Sequence, residues 1–374
     1  MTASGEPARA SGVRLFLCGD VMTGRGIDQV LPFPAPPHLF EAHARSAKTY
    51  VRLAEARSGP VGRRLDFSHP WGDALAMLER LQPALRIVNL ETAVTTSEDH
   101  QPGKGIHYRM HPANLPCLTG AGIDCCVLAN NHVLDWGEAG LLETLQALDA
   151  ARLRHAGAGR NGSEAAAPAR LDLPVGGRVL VFAVATASSG VPASWAAGQK
   201  PGVHFLDTVS ASSAAPLAAA IAAQREPGDL VVLSIHWGVN WNAAVPPAHR
   251  GFAHALIESG AVDLVHGHSS HHVLPVELVR GKLVLYGCGD FINDYEGIEG
   301  YEHFRPELAL MYFPGLDRAT GALAELLAVP MRRRGLRLER AGPDDAAALA
   351  GMLQSEPFGA RVALRADGVI TLAG

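Results

Sequence analysis

Acidic, amide or imidazole side chains, the types that ligate metal ions, stand at, or just after, the ends of six short apolar runs. Asp20 follows the run 13–18, Glu91 follows 86–90, and Asn131 and His132 follow 125–129. His236 follows 230–235, His268 follows 262–265, and Asp290 follows 283–286. Short, nearly continuous apolar runs read as buried strands. In an open α/β sheet ligands bind beyond the carboxyl ends of the strands, where the connecting loops converge. Neighbouring strands then bring these groups within reach of one another. Carboxylates, an amide and several imidazoles in one pocket are metal-site chemistry. Oxygen and neutral imidazole donors without a thiolate suit Mn, Fe or Zn. The set exceeds the needs of one tetrahedral ion, and two ions about 3.5–4 Å apart sharing a carboxylate would use all of it. Such a pair binds a phosphoryl oxygen and brings the pKa of a water toward neutrality, leaving His132 as general acid toward the leaving oxygen. The cofactor expectation is therefore one or two divalent transition metals.

Each position alone also has a purely structural reading. Gly19-Asp20 could close a turn or cap a helix, and Asn130-Asn131-His132 could be a turn with left-handed asparagines. Glu91 could be a surface carboxylate at a strand end, and His236 a hydrogen-bonded core histidine. The segment Gly267-His268-Ser269-Ser270-His271-His272 is harder to explain by packing, because three imidazoles fall within five positions after a strand and a glycine. Recurrence at six strand ends favours a shared site. Around it, Arg25 and Arg109 either hold an anionic substrate or form surface salt bridges. Asp290 and Asn293 are placed to contact substrate or to orient histidines. Trp237 and Trp241, close to His236, either wall the pocket or pack in the core.

Other elements must position this set. Helical spacing predicts helices over 71–81, 137–150, 211–224 and 344–354, with Pro83 ending the first. Strands are expected at the runs named above and at 179–185, 308–313, 323–329 and 369–372, and loops at the Pro-rich 31–37 and at 188–200. Strands alternate with helices early and crowd together late, which points to α/β layers with a mixed sheet. The expected organisation is a tail over 1–12, a domain over 13–330 and a C-terminal extension over 331–374 packing on the same domain.

Composition excludes several classes. The 374 residues carry 32 Lys+Arg against 37 Asp+Glu, a formal charge of −5, so a nucleic-acid partner is not expected. The one dense basic run, Arg332-Arg333-Arg334, reads as a solvated face. Five cysteines, an odd number without a C-x-x-C pair, cannot complete a disulfide framework and read as small core residues. No signal-like segment and no apolar stretch of about 18 residues is present, so the expectation is a cytoplasmic protein without a membrane anchor.

In order along the chain stand Gly19-Asp20-Val21-Met22 with Gly24-Arg25, Asn89-Leu90-Glu91, Ala129-Asn130-Asn131-His132 with Asp135 and Gly137, His236-Trp237-Gly238, and Gly267-His268 with His271. This order, spanning residues 13–293, resembles the CapA family of capsule and poly-γ-glutamate synthesis proteins, and it is similar to the calcineurin-like metallophosphoesterases. The resemblance implies a four-layer α/β/β/α sandwich with mixed sheets and a metal centre at strand ends. It implies Asp20, Glu91, Asn131, His236, His268 and His271 as metal ligands, Glu91 as the shared carboxylate and His132 as the catalytic histidine. Two departures are visible. The metallophosphoesterase Asp-x-His is here Asp20-Val21-Met22, one imidazole short, and in the last block His271 and His272 compete for one ligand position. The implied activity is metal-dependent hydrolysis of a phosphoester or amide-type bond in a small or polymeric anionic substrate. The alternative is a non-catalytic metal- or ligand-binding accessory of polymer or peptide synthesis.

Overall fold

Alternation along the strands sorts the apolar side chains into two layers. The computed structural model describes residues 12–174, 176–242, 244–354 and 361–373, so the expected tail lies, Gly12 apart, outside the described residues. The strands that carry the site and its supports are β1 (Gly12–Val21), β2 (Leu85–Leu90), β3 (Cys125–Val127), β4 (Arg154–Ala156), β5 (Arg178–Thr186), β6 (Leu230–His236), β7 (Leu264–His268), β8 (Lys282–Leu285), β9 (Asp290–Ile292), β10 (Leu308–Asp317) and β11 (Leu323–Arg333). In the first sheet β1 to β4 run parallel side by side, and β10 and β11 continue it antiparallel beyond β1. In the second sheet β5 to β8 run parallel in order; antiparallel strands flank both sides, and the short strand Phe205–Leu206 pairs parallel with the end of β5. The architecture is thus a mixed α/β sandwich, as expected.

On β5, Val179, Val181 and Ala183 share one core with Leu15 and Leu17 of β1. Leu180, Phe182 and Val184, the alternate residues, pack instead with Leu217, Ile221, Phe252 and Leu256. These come from the helices α2 (Ala214–Ala222) and α3 (Pro247–Glu258), which cover the outer face of the second sheet. The inner faces of the two sheets therefore meet each other. Each fully buried Leu or Phe contributes about 1.5–3 kcal/mol to that arrangement.

The helix expected over 137–150 forms as Gly137–Ala150, and that over 71–81 begins later, at Ala74. Helix α3 was not anticipated, although Phe252, Ala253, Leu256 and Ile257 are buried at helical spacing. Interspersed His249, Arg250 and His254 disguise the pattern. The loop expected over 188–200 contains the short turns Ala187–Ser189 and Ala193–Trp195. Strand β11 runs through residue 330, and after it Ile370–Ala373 and Arg361–Leu364 extend the same sheet. The basic run is not a uniform solvated face: Arg332 pairs with Asp345, and Arg333 is buried and donates to the carbonyl oxygen of Asp290. Among the described residues no helix is long and apolar enough to cross a membrane.

Strand β1 does not turn at Gly19-Asp20 but continues to Val21, with Asp20 N–H donating to the Gly289 carbonyl at 2.9 Å. Gly19 allows that approach, since a Cβ there would lie 1.6 Å from the same oxygen. Gly19→Ala is therefore expected to destabilise the fold by roughly 3 kcal/mol or more, read as a drop in the urea midpoint at unchanged m-value.

Candidate metal centre

Parallel pairing puts the polar strand ends in register across both sheets. On β1, Asp20 lies opposite Asn89 of β2 on one side and Asp290 of β9 on the other. In the second sheet His236 lies opposite His268, and Ser234 opposite His266. Ser-x-His on β6 and His-x-His on β7 share the period of two that faces the first sheet.

These four side chains form a directed chain of hydrogen bonds. His266 Nε2 donates to the Cys18 carbonyl at 2.7 Å, which leaves His266 Nδ1 to accept from Ser234 Oγ at 3.1 Å. Ser234 Oγ, its proton spent, then accepts from His268 Nε2 at 2.8 Å. The lone pair of His268 therefore sits on Nδ1, 2.7 Å from His236 Nδ1 and 3.8 Å from Asp20 Oδ1. His236 Nε2 in turn is 3.1 Å from Asn131 Oδ1. Burial holds His236 and His268 well below the usual imidazole pKa, so both are neutral and able to ligate.

Two groups of three can each hold an ion: Asp20, His236 and His268, and Asp20, His271 and Asp290, with one ligand atom per residue and all such atoms within 4.8 Å of one another. The carboxylate common to both is Asp20, in the place the resemblance gives to Glu91. Glu91 lies alongside, its Oε1 3.8 Å from both His132 Nε2 and His236 Nε2. That oxygen is buried without a hydrogen-bond partner. Asp290, expected at the substrate, belongs to the ligand-capable set and also meets His271 Nδ1 at 2.7 Å. Asn293 donates to Asp290 Oδ2 at 2.7 Å and so orients it.

The geometry separates the two competing histidines. His271, at φ 59°, turns toward Asp20 and Asp290, whereas His272 Nε2 donates to the Asn242 carbonyl at 3.1 Å. Positive φ recurs around the pocket, at Arg25, Trp241, Ser269 and His271. Each such non-glycine residue costs about 1–3 kcal/mol, and strain of this kind concentrates at functional sites.

His132 approaches from the first sheet. Its Nδ1 is 2.6 Å from Asp135 Oδ2, Lys104 Nζ lies 2.9 Å from the same nitrogen, and Lys104 also pairs with Asp135. Burial lowers the His132 pKa to about 4, against the pull of Asp135 and with that of Lys104. Nε2 is left facing Glu91. Residues 130–132 are fixed by Asn130, whose side chain donates to Asn89 Oδ1 and the Leu90 carbonyl and accepts from His132 N–H.

Neither arginine forms a surface salt bridge. Arg25 is buried, its Nε 2.9 Å from Asp294 and its Nη1 3.1 Å from Glu41, and its guanidinium lies over the rings of Tyr50 and Tyr108. Arg109 donates to the carbonyls of Ser97 and Pro36 and covers Trp136. Both tie loops together, and their ion pairs and hydrogen bonds are internal. Lys104, Ser234, His266 and Arg333 were not expected at the site. For Ser234 and His266 a signal existed, since each lies two residues before a candidate ligand on the same strand.

Three carboxylates share this dry space. Burial first, then the charge of Asp290, pushes Asp20 up to about 6, and burial with Asp20 pushes Glu91 well above its ordinary value. Burial works against charge on His271, but Asp290 and Asp20 outweigh it and raise its pKa. Crowded carboxylates, neutral imidazoles and a partnerless buried Glu91 oxygen are groups that could hold a divalent cation.

The model of the family described as bacterial capsule synthesis protein PGA_cap matches residues 14–295. The chain belongs to this family. It is 45% identical over 362 residues, 96% of this chain and 95% of the relative, to a Mycobacterium tuberculosis protein named "Probable polyglutamine synthesis accessory protein". It is 25% identical over 284 residues, 75% of this chain and 59% of the relative, to the capsule biosynthesis protein CapA of Bacillus anthracis. With the PGA biosynthesis protein CapA of Bacillus subtilis it shares 27% over 225 residues, 60% of this chain and 56% of the relative. The matched span of this PGA_cap member contains every ligand-capable residue described above.

His271→Ala is expected to lower the affinity for Mn, Zn or Fe at least about tenfold, the order seen when a metal loses a ligand or its close support. His272→Ala leaves it within about twofold. Equilibrium dialysis with elemental analysis distinguishes the two, and equal losses would contradict the assignment.

Proposed function

We propose that this protein is a metal-dependent hydrolase of a phosphoester or amide-type bond, acting on an anionic substrate in the synthesis or processing of a capsule-like or glutamate polymer. The observation that carries the reading is the pair of ligand-capable groups sharing buried Asp20, with His132 Nε2 turned to the same space. The names of the mycobacterial and Bacillus relatives support the polymer context.

Asp20, His236 and His268 would hold one ion, with Asn131 and Glu91 beside them, and Asp20, His271 and Asp290 a second. A bound divalent ion supplies positive charge to a substrate oxyanion and makes a water acidic enough to attack at neutral pH. Ser234 and His266 keep the His268 lone pair inward. Asp135 and Lys104 hold His132 by Nδ1, so that Nε2 is the atom that exchanges a proton with the leaving oxygen. Because Arg25, Arg109 and Lys104 are committed internally, positive charge for an anionic substrate would come from the ion rather than from an open cationic clamp.

A second reading, a metal- or ligand-binding accessory without turnover, is favoured by one feature. Where the metallophosphoesterase pattern has an imidazole, Met22 is fully buried and offers no strong ligand. Turnover of bis(p-nitrophenyl) phosphate by Mn-, Fe- or Zn-loaded protein, compared with His132→Ala, separates the two. The hydrolase reading expects a loss of about 10²–10⁴-fold in kcat with metal content unchanged, the usual worth of a general acid. Loaded wild-type protein that turns over neither this ester nor a γ-glutamyl amide would favour the accessory.

A further inference from the structure

Beside His271 a cavity of about 450 Å³ opens away from the carboxylates. Four large aromatic residues, Tyr50, Trp241, Tyr295 and Tyr301, line it, and Leu53 and Ile298 share the wall. Trp241 and Tyr301 stack with centroids 4.5 Å apart, and the His271 ring lies 5.3 Å from Trp241 and 5.7 Å from Tyr295. Among the described lining residues Arg25 alone carries a fixed charge, and that charge is already met by Asp294 and Glu41.

The mouth repeats the same chemistry. Ile106, at 36% exposure, and Tyr301, at 38%, line the cavity from two separate loops. Val239, at 58%, precedes the lining residues Asn240 and Trp241 on a third loop. These are three of the six large apolar residues left exposed among the described residues; two of them line the cavity and the third adjoins lining residues in the chain. Exposed apolar groups on converging loops mark a binding surface. Trp241 is held there at φ 59°, its N–H donating to the Ser270 carbonyl at 3.1 Å, so its ring is placed against a backbone preference.

We propose that this cavity is a substrate subsite for an uncharged, ring-bearing group attached to the bond that is cleaved. The proposal rests on the hydrolase reading for the words "bond that is cleaved", while the ring subsite itself stands on the cavity. Aromatic walls reward a flat apolar group by burial and ring packing, and they provide no counter-charge for a side-chain carboxylate. A run of γ-linked glutamates therefore gains nothing here, and selectivity falls on the group next to the scissile bond.

The test uses full-length protein and three probes. Benzamide, a neutral ring, is followed by saturation-transfer NMR with and without added Mn or Zn, and phenylphosphonate is compared with methylphosphonate by calorimetry on metal-loaded protein. The subsite predicts a benzamide signal in either metal state, lost in Trp241→Ala and weakened in Tyr301→Ala. It predicts phenylphosphonate binding at least about tenfold tighter than methylphosphonate, with the ratio falling toward one in both variants while metal content stays unchanged. Absence of benzamide binding, or a ring preference indifferent to both substitutions, overturns the subsite. Benzamide binding by protein that takes up no metal overturns the hydrolase reading and leaves the ring subsite standing.

Discussion

Asp20, Glu91 and Asp290 meet in a buried seam between the two sheets, and much of the surrounding structure answers that one electrostatic problem. Like charges in a dry space raise one another's pKa, and each uncompensated buried ion costs several kcal/mol. The chain surrounds them with donors. Asn89 donates to Asp20 at 2.8 Å, the Ser269 N–H to Asp20 at 3.2 Å, and Asn293 to Asp290 at 2.7 Å, while His271 pairs with Asp290. These bonds do not satisfy Glu91 Oε1. A divalent cation held by these groups would complete the compensation and would tie metal binding to the fold.

The same seam explains the polar ladder between the sheets. Cores of facing sheets are ordinarily apolar, and here four consecutive inward positions, Ser234, His236, His266 and His268, are polar. Their hydrogen bonds run one way, from the Cys18 carbonyl to the His268 lone pair, so the first sheet sets the tautomer of a ligand in the second. Strain at Ser269 and His271 belongs to the same device: only a left-handed turn directly after β7 brings the His271 ring back over Asp290.

Strands and their ends were readable from composition because buried strands are short apolar runs, and parallel pairing of such runs gathers their ends on one edge. The gathering of these side chains between the two sheets was readable for that reason. What escaped depends on contacts between distant parts of the chain. Asp290 joins the ligand-capable set because β9 pairs parallel with the end of β1, a register invisible in either segment alone. Asp20 rather than Glu91 is shared because it sits on the central strand, flanked by both neighbours. The choice of His271 over His272 is a matter of one backbone angle. In the sequence Arg25 reads as a substrate-holding residue or a surface salt bridge and Arg333 as part of a solvated face, because their partners lie 269 and 43 positions away.

The central claim is that Asp20 is the common ligand of a divalent metal centre between the two sheets. Anomalous diffraction from crystals grown with Mn or Zn, collected on both sides of the metal edge, tests it most directly. The account predicts a peak within coordination distance of Asp20, His236 and His268, and a second, at equal or lower occupancy, joining Asp20 to His271 and Asp290. A map without any peak at Asp20, or a metal bound only elsewhere, would contradict it.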